Sequence, residues 1–368
     1  MIPALILGGG PAGASAAIVF AQARAPHLLV ERAATPGDAL CGGFLSWRTL
    51  ATLEQLGVVG ETLNRDVVSE VRLFAGDQSA RAALPQPGRG VSRRQLDTLL
   101  MRRARTLGAA IETGTAREYA EDAVRFADGS EIPSGSLFLA TGKHDLRGLA
   151  RPAEARGTDP ALGLRVRLEP AARRLVGPAI ELHLFDRGYA GLVAQEDGTV
   201  NLCLAVHRSR LAEAGNPERL LLALAAESPR LGERLSYRTA GAIDAVANVP
   251  YGWRATRGVP GLFRMGDQAG VIPSLAGEGI GIAVASGLRA ARAYLDGGDA
   301  AAVDYQRALA ASLRRPLAIA GLIRSAAERP RLSGLALSLL RPTLLDLLAR
   351  LTRINHTPVD ADPAAADI

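Results

Sequence analysis

Three glycines at positions 8, 10 and 13, followed by Glu31, have the types and spacing of a phosphate-binding turn. In "LILGGGPAGAS", Gly8 permits a tight turn, Gly10 lets a pyrophosphate approach the backbone, and Gly13 lets a helix pack closely on the strand before it. The phosphates would then sit over a helix N-terminus, where unpaired amides and the positive end of the dipole favour an anion. Glu31 stands 18 positions after Gly13, at the end of "HLLVE", where an acid receives the ribose hydroxyls of an adenosine. A secretory signal is the competing reading of this apolar start. Lys and Arg are absent before Arg24, and Gly8, Gly9, Gly10 and Pro11 interrupt the apolar run, so a secretory signal is not expected.

A second set of residues with the same chemistry lies far along the chain, in "GLFRMGDQAGVIPSLAGEGIGIAVASG". A short apolar strand, Leu262 to Met265, runs into Gly266 and Asp267, and a helix opens over Gly277 to Gly281. A carboxylate at a strand end can hold polyol hydroxyls, and a helix N-terminus can hold an anion. Lys143, in "LATGKHDLRG", is the only lysine in a chain rich in Arg. A compact ammonium is not interchangeable with a guanidinium, which makes Lys143 a candidate catalytic or cofactor-contacting group.

The remaining polar candidates each carry a plainer reading. His183 is expected to be a solvated residue on an alternating strand rather than a catalyst. His144 and Asp145 follow Lys143 in a loop and can serve a turn as readily as acid and base work. Cys41, beside Gly42 and Gly43, fits either close backbone packing or redox chemistry. Asn201 and Cys203 share one strand face, where they line a pocket or simply pack. Phe44 and Tyr189 either bracket a flat substrate or fill core.

Positioning these groups requires a strand, turn, helix and strand at the N-terminus: Pro3 to Leu7, the glycine turn, Ala14 to Ala23, and the strand ending at Glu31. "VSRRQLDTLLMRRARTLG" has a helical face of Leu96, Leu99, Leu100 and Leu107, and "GSLFLATG" reads as a buried strand ending at Thr141 and Gly142. From Ala161 to Val206 the period changes to two, with Ile180, Leu182 and Leu184 alternating against Glu181 and His183, and Val200, Leu202 and Leu204 against Asn201 and Cys203. This is a half-covered antiparallel sheet inserted into a nucleotide domain. From Tyr305 to Arg353 the chain reads as amphipathic helices. Arg341, Pro342, Asp346 and Arg350 interrupt its most apolar stretch, so the helices are expected to cover the nucleotide domain in preference to an interfacial, peripheral membrane contact.

The expected fold is therefore α/β: a discontinuous Rossmann-like domain over 1–155 and 256–300, an antiparallel-sheet substrate domain over 156–255, C-terminal helices over 301–357 and a flexible tail over 358–368. Its 368 residues, 48% hydrophobic, suffice for such cores. Two distant cysteines make neither a disulfide framework nor a metal cluster, and a reducing cytoplasm is expected. The net charge of +6 is not gathered into a basic block, and no nucleic-acid recognition motif accompanies it.

Taken in order, GGGPAG with Glu31 and Arg32, "VSRRQLD", "LATG" and "GDQAG…GEGIGIAVASG" resemble the FAD-dependent superfamily of geranylgeranyl reductases and p-hydroxybenzoate-type aromatic hydroxylases. "CGGFLS", "ATGKHDLRG", "GYAGLV" and "GDQAGVIPS" are most similar to bacterial flavoprotein oxidoreductases found beside polyketide synthases. The resemblance implies FAD as cofactor, with Gly8, Gly10, Pro11, Ala12, Gly13, Glu31 and Arg32 around its ADP half. It places Cys41, Gly42 and Arg93 along the cofactor, Thr141, Gly142, Gly266 and Asp267 at the strand ends, and the amides of Gly279 and Ile280 against the flavin edge. On the substrate side it implies Phe44, Tyr189, Asn201, Cys203 and Pro273. The implied substrate is a small aromatic, polyketide or isoprenoid molecule.

Departures from the family pattern bear on the reaction. Aromatic hydroxylases of this group carry Asp where this chain has Thr141 and His where it has Gly270, whereas Gly270 and Gly287 look like the reductases. The reductases' YxWxFP motif is replaced by "GYAGLV", retaining only Tyr189, and the tryptophan motif of halogenases is absent. Without a second GxGxxG, NADH or NADPH would visit only transiently as electron donor. The leading expectation is a monooxygenase acting on an aromatic or polyketide-type substrate. The alternatives are reduction of a C=C bond and a non-catalytic lipid-binding protein of the same fold.

Overall fold

The computed structural model describes residues 2–330, 332–334 and 342–354. Its first strand, Ile2–Leu7, is buried from Ala4 to Leu7, as an all-apolar run flanked on both sides must be. It pairs in parallel with Leu28–Glu31 on one side and Glu131–Leu139 on the other. Ala110–Thr113 extends the sheet beyond Leu28–Glu31, and Leu262–Arg264 pairs with the second half of Glu131–Leu139, all in parallel. The first half of Glu131–Leu139 forms an antiparallel meander with Ala123–Phe126 and Ala116–Ala120. The carboxyl ends of the two central strands feed Gly8 and Thr141 into one crevice, the position at which doubly wound sheets bind ligands.

One face of this sheet carries the helices Pro11–Gln22 and Gly279–Gly297, which cross so closely that a Cβ at Gly287 would overlap the Ala12 carbonyl oxygen. Under them Phe138 and Phe263 stack with centroids 4.5 Å apart, and Phe20 and Tyr294 meet Phe138 edge-on. The helix Ala301–Ala327 packs against Gly279–Gly297 through Leu309, Leu313, Leu317 and Ala320. Helix Pro342–Leu351 lies against the strand Gln78–Gly90. None of the helices among the described residues is long and apolar enough to cross a membrane. The tail 358–368 lies outside the described residues.

The second sheet is ordered Asp244–Val249, Ala161–Leu168, Val200–His207, Gly188–Ala194, Ala179–Phe185, Val68–Ala75, Gln78–Gly90 and Phe44–Leu45. It is antiparallel except where Ala179–Phe185 meets Val68–Ala75. It therefore draws strands from residues 44–90, inside the span assigned by sequence to the nucleotide domain, and is not confined to 156–255. Pro85 and Pro87 explain why the long strand is hard to read, since proline normally argues against a strand interior.

The face of the sheet that carries Glu181 and His183 is covered by helices, which corrects the expectation that these residues meet solvent. Helices Pro217–Glu227 and Pro229–Leu235 put Leu220, Leu221, Leu224 and Leu231 onto Val200, Leu202 and Leu204. Glu181 and His183 consequently lie at 0% and 1% exposure rather than in solvent. Arg234 donates to both Glu181 carboxylate oxygens at 3.0 Å, and His183 stacks on Phe74 at 4.6 Å. The alternation was read correctly, but a polar face covered by an arginine-bearing helix cannot be told from a wet one by period alone.

Candidate active site

Between the two sheets lies a cleft of roughly 1360 Å3, its open mouth included. One end is the glycine turn. Gly8 has φ +102°, and a Cβ there would come within 2.5 Å of the Ala140 carbonyl oxygen. A Cβ at Gly13 would overlap the Gly8 carbonyl oxygen, so these two glycines close the turn and seat the helix on it. In front of Gly10 the nearest atom to an added Cβ is an Arg93 nitrogen at 3.2 Å. Helix Pro11–Gln22 has proline at its first position, and its Gly10 cap supplies no side-chain bond, leaving first-turn amides turned to the cleft. Glu31 accepts from the Gly9 amide at 2.6 Å and steadies the turn from behind.

The opposite end is the N-terminus of Gly279–Gly297, where nothing lies within 4 Å of a Cβ added at Gly279. Gly10, Pro11, Ala12, Arg93, Gly142, Lys143, Gly266, Asp267, Gly279 and Ile280 all line this one cleft. Two open glycine cradles at two helix N-termini, with the acid Glu31 behind one and Asp267 between them, fit an extended dinucleotide. The residues present suit FAD.

Lys143 Nζ lies 3.2 Å from Asp267 Oδ2. The Asp267 carboxylate holds the ammonium above its ordinary value, against the burial that opposes it. Arg93 binds Asp97 through two nitrogens at 2.9 and 2.7 Å. Burial works against its charge, but Asp97 more than compensates and its pKa is raised. The loop carrying Lys143 is held by residues the sequence did not single out. Gln268 Nε2 donates to Thr141 Oγ1, Gly142 O and His144 O at 3.1, 3.0 and 2.9 Å. Arg151 donates to Lys143 O at 2.7 Å and Asp267 O at 3.0 Å. Both are buried, and only the neighbourhood of "GDQ" offered a sequence signal for Gln268.

The side of the cleft away from the glycine turn is apolar, with Phe44, Ile180, Leu182, Leu192, Val246 and Val249 among its walls. Polar groups enter at one place. Tyr189 and Ser274 hydroxyls are 2.5 Å apart, Tyr251 and Ser274 hydroxyls 2.8 Å apart, and the Leu275 amide donates to the Tyr189 oxygen at 2.9 Å. Burial pushes Tyr189 well above the usual phenol value, so it stays protonated. Tyr251 and Ser274 were not anticipated, because a single Tyr and a single Ser in loops carry no pattern.

Cys41, Gly42, Phe44, Tyr189 and Cys203 line the cleft as the sequence suggested. Asn201 and Pro273 do not line it. Asn201 donates to the carbonyls of Cys41 and Gly42, both at 2.9 Å, and Cys203 Sγ donates to Cys41 O at 3.0 Å. Burial pushes the Cys203 thiol up to about 12. These two residues therefore fasten the Cys41–Gly43 segment onto the second sheet, helped by Arg165, which donates to the Asp38 and Ala39 carbonyls. Arg32 stands off the cleft with a nitrogen 3.3 Å from His144 Nε2, and Thr141 is spent within its own loop.

Residues 1–125 match the family described as FAD binding domain. Menaquinone reductase of Mycolicibacterium smegmatis is 26% identical over 338 residues, covering 83% of this chain and 78% of that protein. Among solved structures, the flavin-dependent brominase Bmp2 superposes with a TM-score of 0.71 at 19% identity, covering 95% of this chain and 93% of that one. The probable FAD-dependent monooxygenase PqsL of Pseudomonas aeruginosa gives a TM-score of 0.68 at 16% identity, covering 92% and 100%. The N-terminal segment is thus similar to FAD binding domains, and the whole chain has the fold of these solved structures.

Proposed function

Proceeding from an FAD-dependent oxidoreductase, we propose that this chain is a monooxygenase that hydroxylates an aromatic or polyketide-type substrate with an apolar body and at least one oxygen substituent. The observation that carries the reading is the shape of the cleft's chemistry: a broad apolar wall into which the joined hydroxyls of Tyr189, Ser274 and Tyr251 enter together. Bound FAD supplies two-electron redox chemistry and, when reduced, reactivity toward dioxygen. The chain's part is to exclude water, orient the ring and stabilise charge.

Phe44, Ile180, Leu182 and Leu192 exclude water from the substrate end. Tyr189 accepts from the Leu275 amide and shares a hydrogen bond with the Ser274 hydroxyl, which sets Ser274 and Tyr251 to orient a substrate oxygen. Gly279 and Ile280 offer amides to the cofactor where negative charge gathers on reduction. NADH or NADPH serves as a transient donor, reaching the cofactor without a second dinucleotide fold.

Double-bond reduction is the second reading. It is supported by the identity to menaquinone reductase along most of the chain and by the Cys41 thiol on the cleft wall. Against it, Asp267 is the only carboxylate lining the cleft among the described residues, and it stands at the cofactor end paired with Lys143 rather than beside the apolar wall. The test incubates holoenzyme and NADPH under 18O2 with alkyl-substituted phenols and resorcinols and with prenylated quinones. One 18O atom in a hydroxylated product is expected. A product heavier by two hydrogens and free of 18O would replace hydroxylation with reduction.

A further inference from the structure

Arg353, far along the chain, forms a buried ion pair beside the cleft. Arg353, 6% exposed, donates through Nη1 to Ala276 O at 2.6 Å and to Glu278 Oε2 at 2.8 Å. Glu278 is fully buried and also accepts from Ser46 Oγ at 3.1 Å. The Arg353 guanidinium lies 5.3 Å from the Trp47 ring and 6.0 Å from that of Phe44, which itself lines the cleft. The next residue, Ile354, is buried in the main core, and its carbonyl accepts from Arg48 at 3.2 Å.

We propose that Arg353 is a positioning residue for the cofactor edge: it fixes the Ala276–Glu278 turn that starts the helix at Gly279 and neutralises the Glu278 charge beneath it. The inference holds whether the enzyme hydroxylates or reduces its substrate, because it concerns only the cofactor's surroundings.

Glu278 is the residue immediately before Gly279, so its carboxylate sits at the same helix N-terminus that faces the cofactor. A carboxylate there competes with the reduced cofactor for the positive end of the dipole. It is also held tightly: a Cβ at Gly281 would come within 2.6 Å of Glu278 Oε1 and 2.7 Å of Thr49 Oγ1. The guanidinium offsets the Glu278 charge beside the amides of Gly279 and Ile280. Removing it withdraws one positive charge from next to the place where reduction would add negative charge, and takes the Arg353 donor away from the Ala276 carbonyl. An ion pair at this depth is poor evidence of stability for its own sake, which favours a positional role.

The test compares Arg353→Met, Arg353→Lys and the double variant Arg353→Met with Glu278→Gln, all in the full chain. FAD affinity is measured by fluorescence quenching and the flavin midpoint potential by spectroelectrochemistry. Arg353→Met should weaken FAD binding ten-fold or more and lower the midpoint potential, while Lys restores part of both. The double variant should return the potential toward the parent value, because the opposing charge is gone, while affinity stays reduced. If Arg353→Met alone does not fold, the double variant and Arg353→Lys supply the comparison with the parent. A parent-like affinity and potential in Arg353→Met, or a lowered potential that Glu278→Gln leaves unchanged, would overturn the proposal.

Discussion

Lys143 Nζ and Asp267 Oδ2 stand 3.2 Å apart, although the two residues are 124 positions apart in the chain and each sits in the loop after a strand of the first sheet. The two strands, Glu131–Leu139 and Leu262–Arg264, are hydrogen-bonded neighbours, which is why their following loops meet. The lone lysine thus belongs to the cleft wall together with Asp267. Lys143→Met should weaken FAD binding about five-fold, a magnitude kept near 1 kcal/mol because the pair is partly exposed. Lys143→Arg should recover most of that loss. Titration of the apoprotein with FAD reads both, and an unchanged Lys143→Met would remove the lysine from the site.

The two ends of the cofactor site can be tested separately. Gly10→Val should yield apoprotein, because the β-branched side chain fills the space between the turn and Arg93 that the pyrophosphate needs. Asp267→Ala removes charge-assisted bonds worth about 1.5–3 kcal/mol each and should lower flavin occupancy by ten-fold or more. Absorbance ratios of the purified variants decide the matter; full occupancy in both would sink the two-ended site.

Much of this site was legible because its residues are forced by backbone geometry. Gly8 has a positive φ and Gly13 a carbonyl where a Cβ would stand, and both conditions leave glycine as the residue that fits, whereas Gly10 has an ordinary φ of -69° and was legible only through its spacing. The second sheet was legible as alternation, and Val200, Leu202 and Leu204 do share a buried face. What alternation along one strand does not encode is its register with the next: Glu181 pairs with Leu192 and Leu192 with Leu202, so Glu181 and His183 share that buried face. Glu181 and His183 look wet in sequence and are dry in the fold because Arg234 arrives from a helix 53 positions after Glu181. Asn201 illustrates the same gap, since its amide is committed to the Cys41 and Gly42 carbonyls by tertiary contact alone. Arg353 gave no sequence signal at all.

The buried Glu181–Arg234 pair predicts a strong stability effect. Arg234→Met leaves a carboxylate at 0% exposure without its two-pronged donor and should destabilise the fold by about 3–5 kcal/mol, the usual cost of breaking one side of a buried pair. Urea denaturation of the parent and variant measures it. Replacing both residues together, as Glu181→Leu with Arg234→Met, should recover much of the loss, since an apolar pair leaves no buried charge.

The same cluster sets a pH dependence. Burial holds His183 below its ordinary value of 6.5 despite Glu181 beside it. Glu181 lies below its ordinary value of 4.5: burial opposes this, but His183 and Arg234 outweigh it. For both groups the unfolded chain binds protons more readily than the folded one, so stability rises with pH. The stabilisation is complete above pH 6.5, declines first as His183 titrates in the unfolded state, and declines further below pH 4.5 through Glu181. His183→Phe should flatten the curve between roughly pH 6.5 and the lower folded value and, because His183 also helps hold Glu181 down, should shrink the Glu181 limb to what Arg234 alone sustains. Denaturation midpoints across pH 4 to 8 check this, and an unaltered upper limb would exclude His183 as its source.

The hydroxyl cluster yields the prediction closest to the substrate. Tyr251→Phe and Ser274→Ala each delete a neutral hydroxyl from the cleft wall, a change worth about 0.5–1.5 kcal/mol per hydrogen bond, or roughly two- to twelve-fold in affinity. The loss should fall on substrates with an oxygen substituent and spare their deoxygenated analogues, because the apolar wall binds both alike. Tyr189→Phe should behave differently. Its oxygen accepts from the Leu275 amide, so removing it leaves a backbone donor without that partner and loosens the loop that carries Ser274. The expected result is weaker binding of every substrate, with FAD affinity unchanged in all three variants. Equilibrium binding of paired phenol and hydrocarbon ligands to the oxidised holoenzyme separates these cases, and equal losses for both ligands in Tyr251→Phe would show that the cluster does not read the substrate's oxygen.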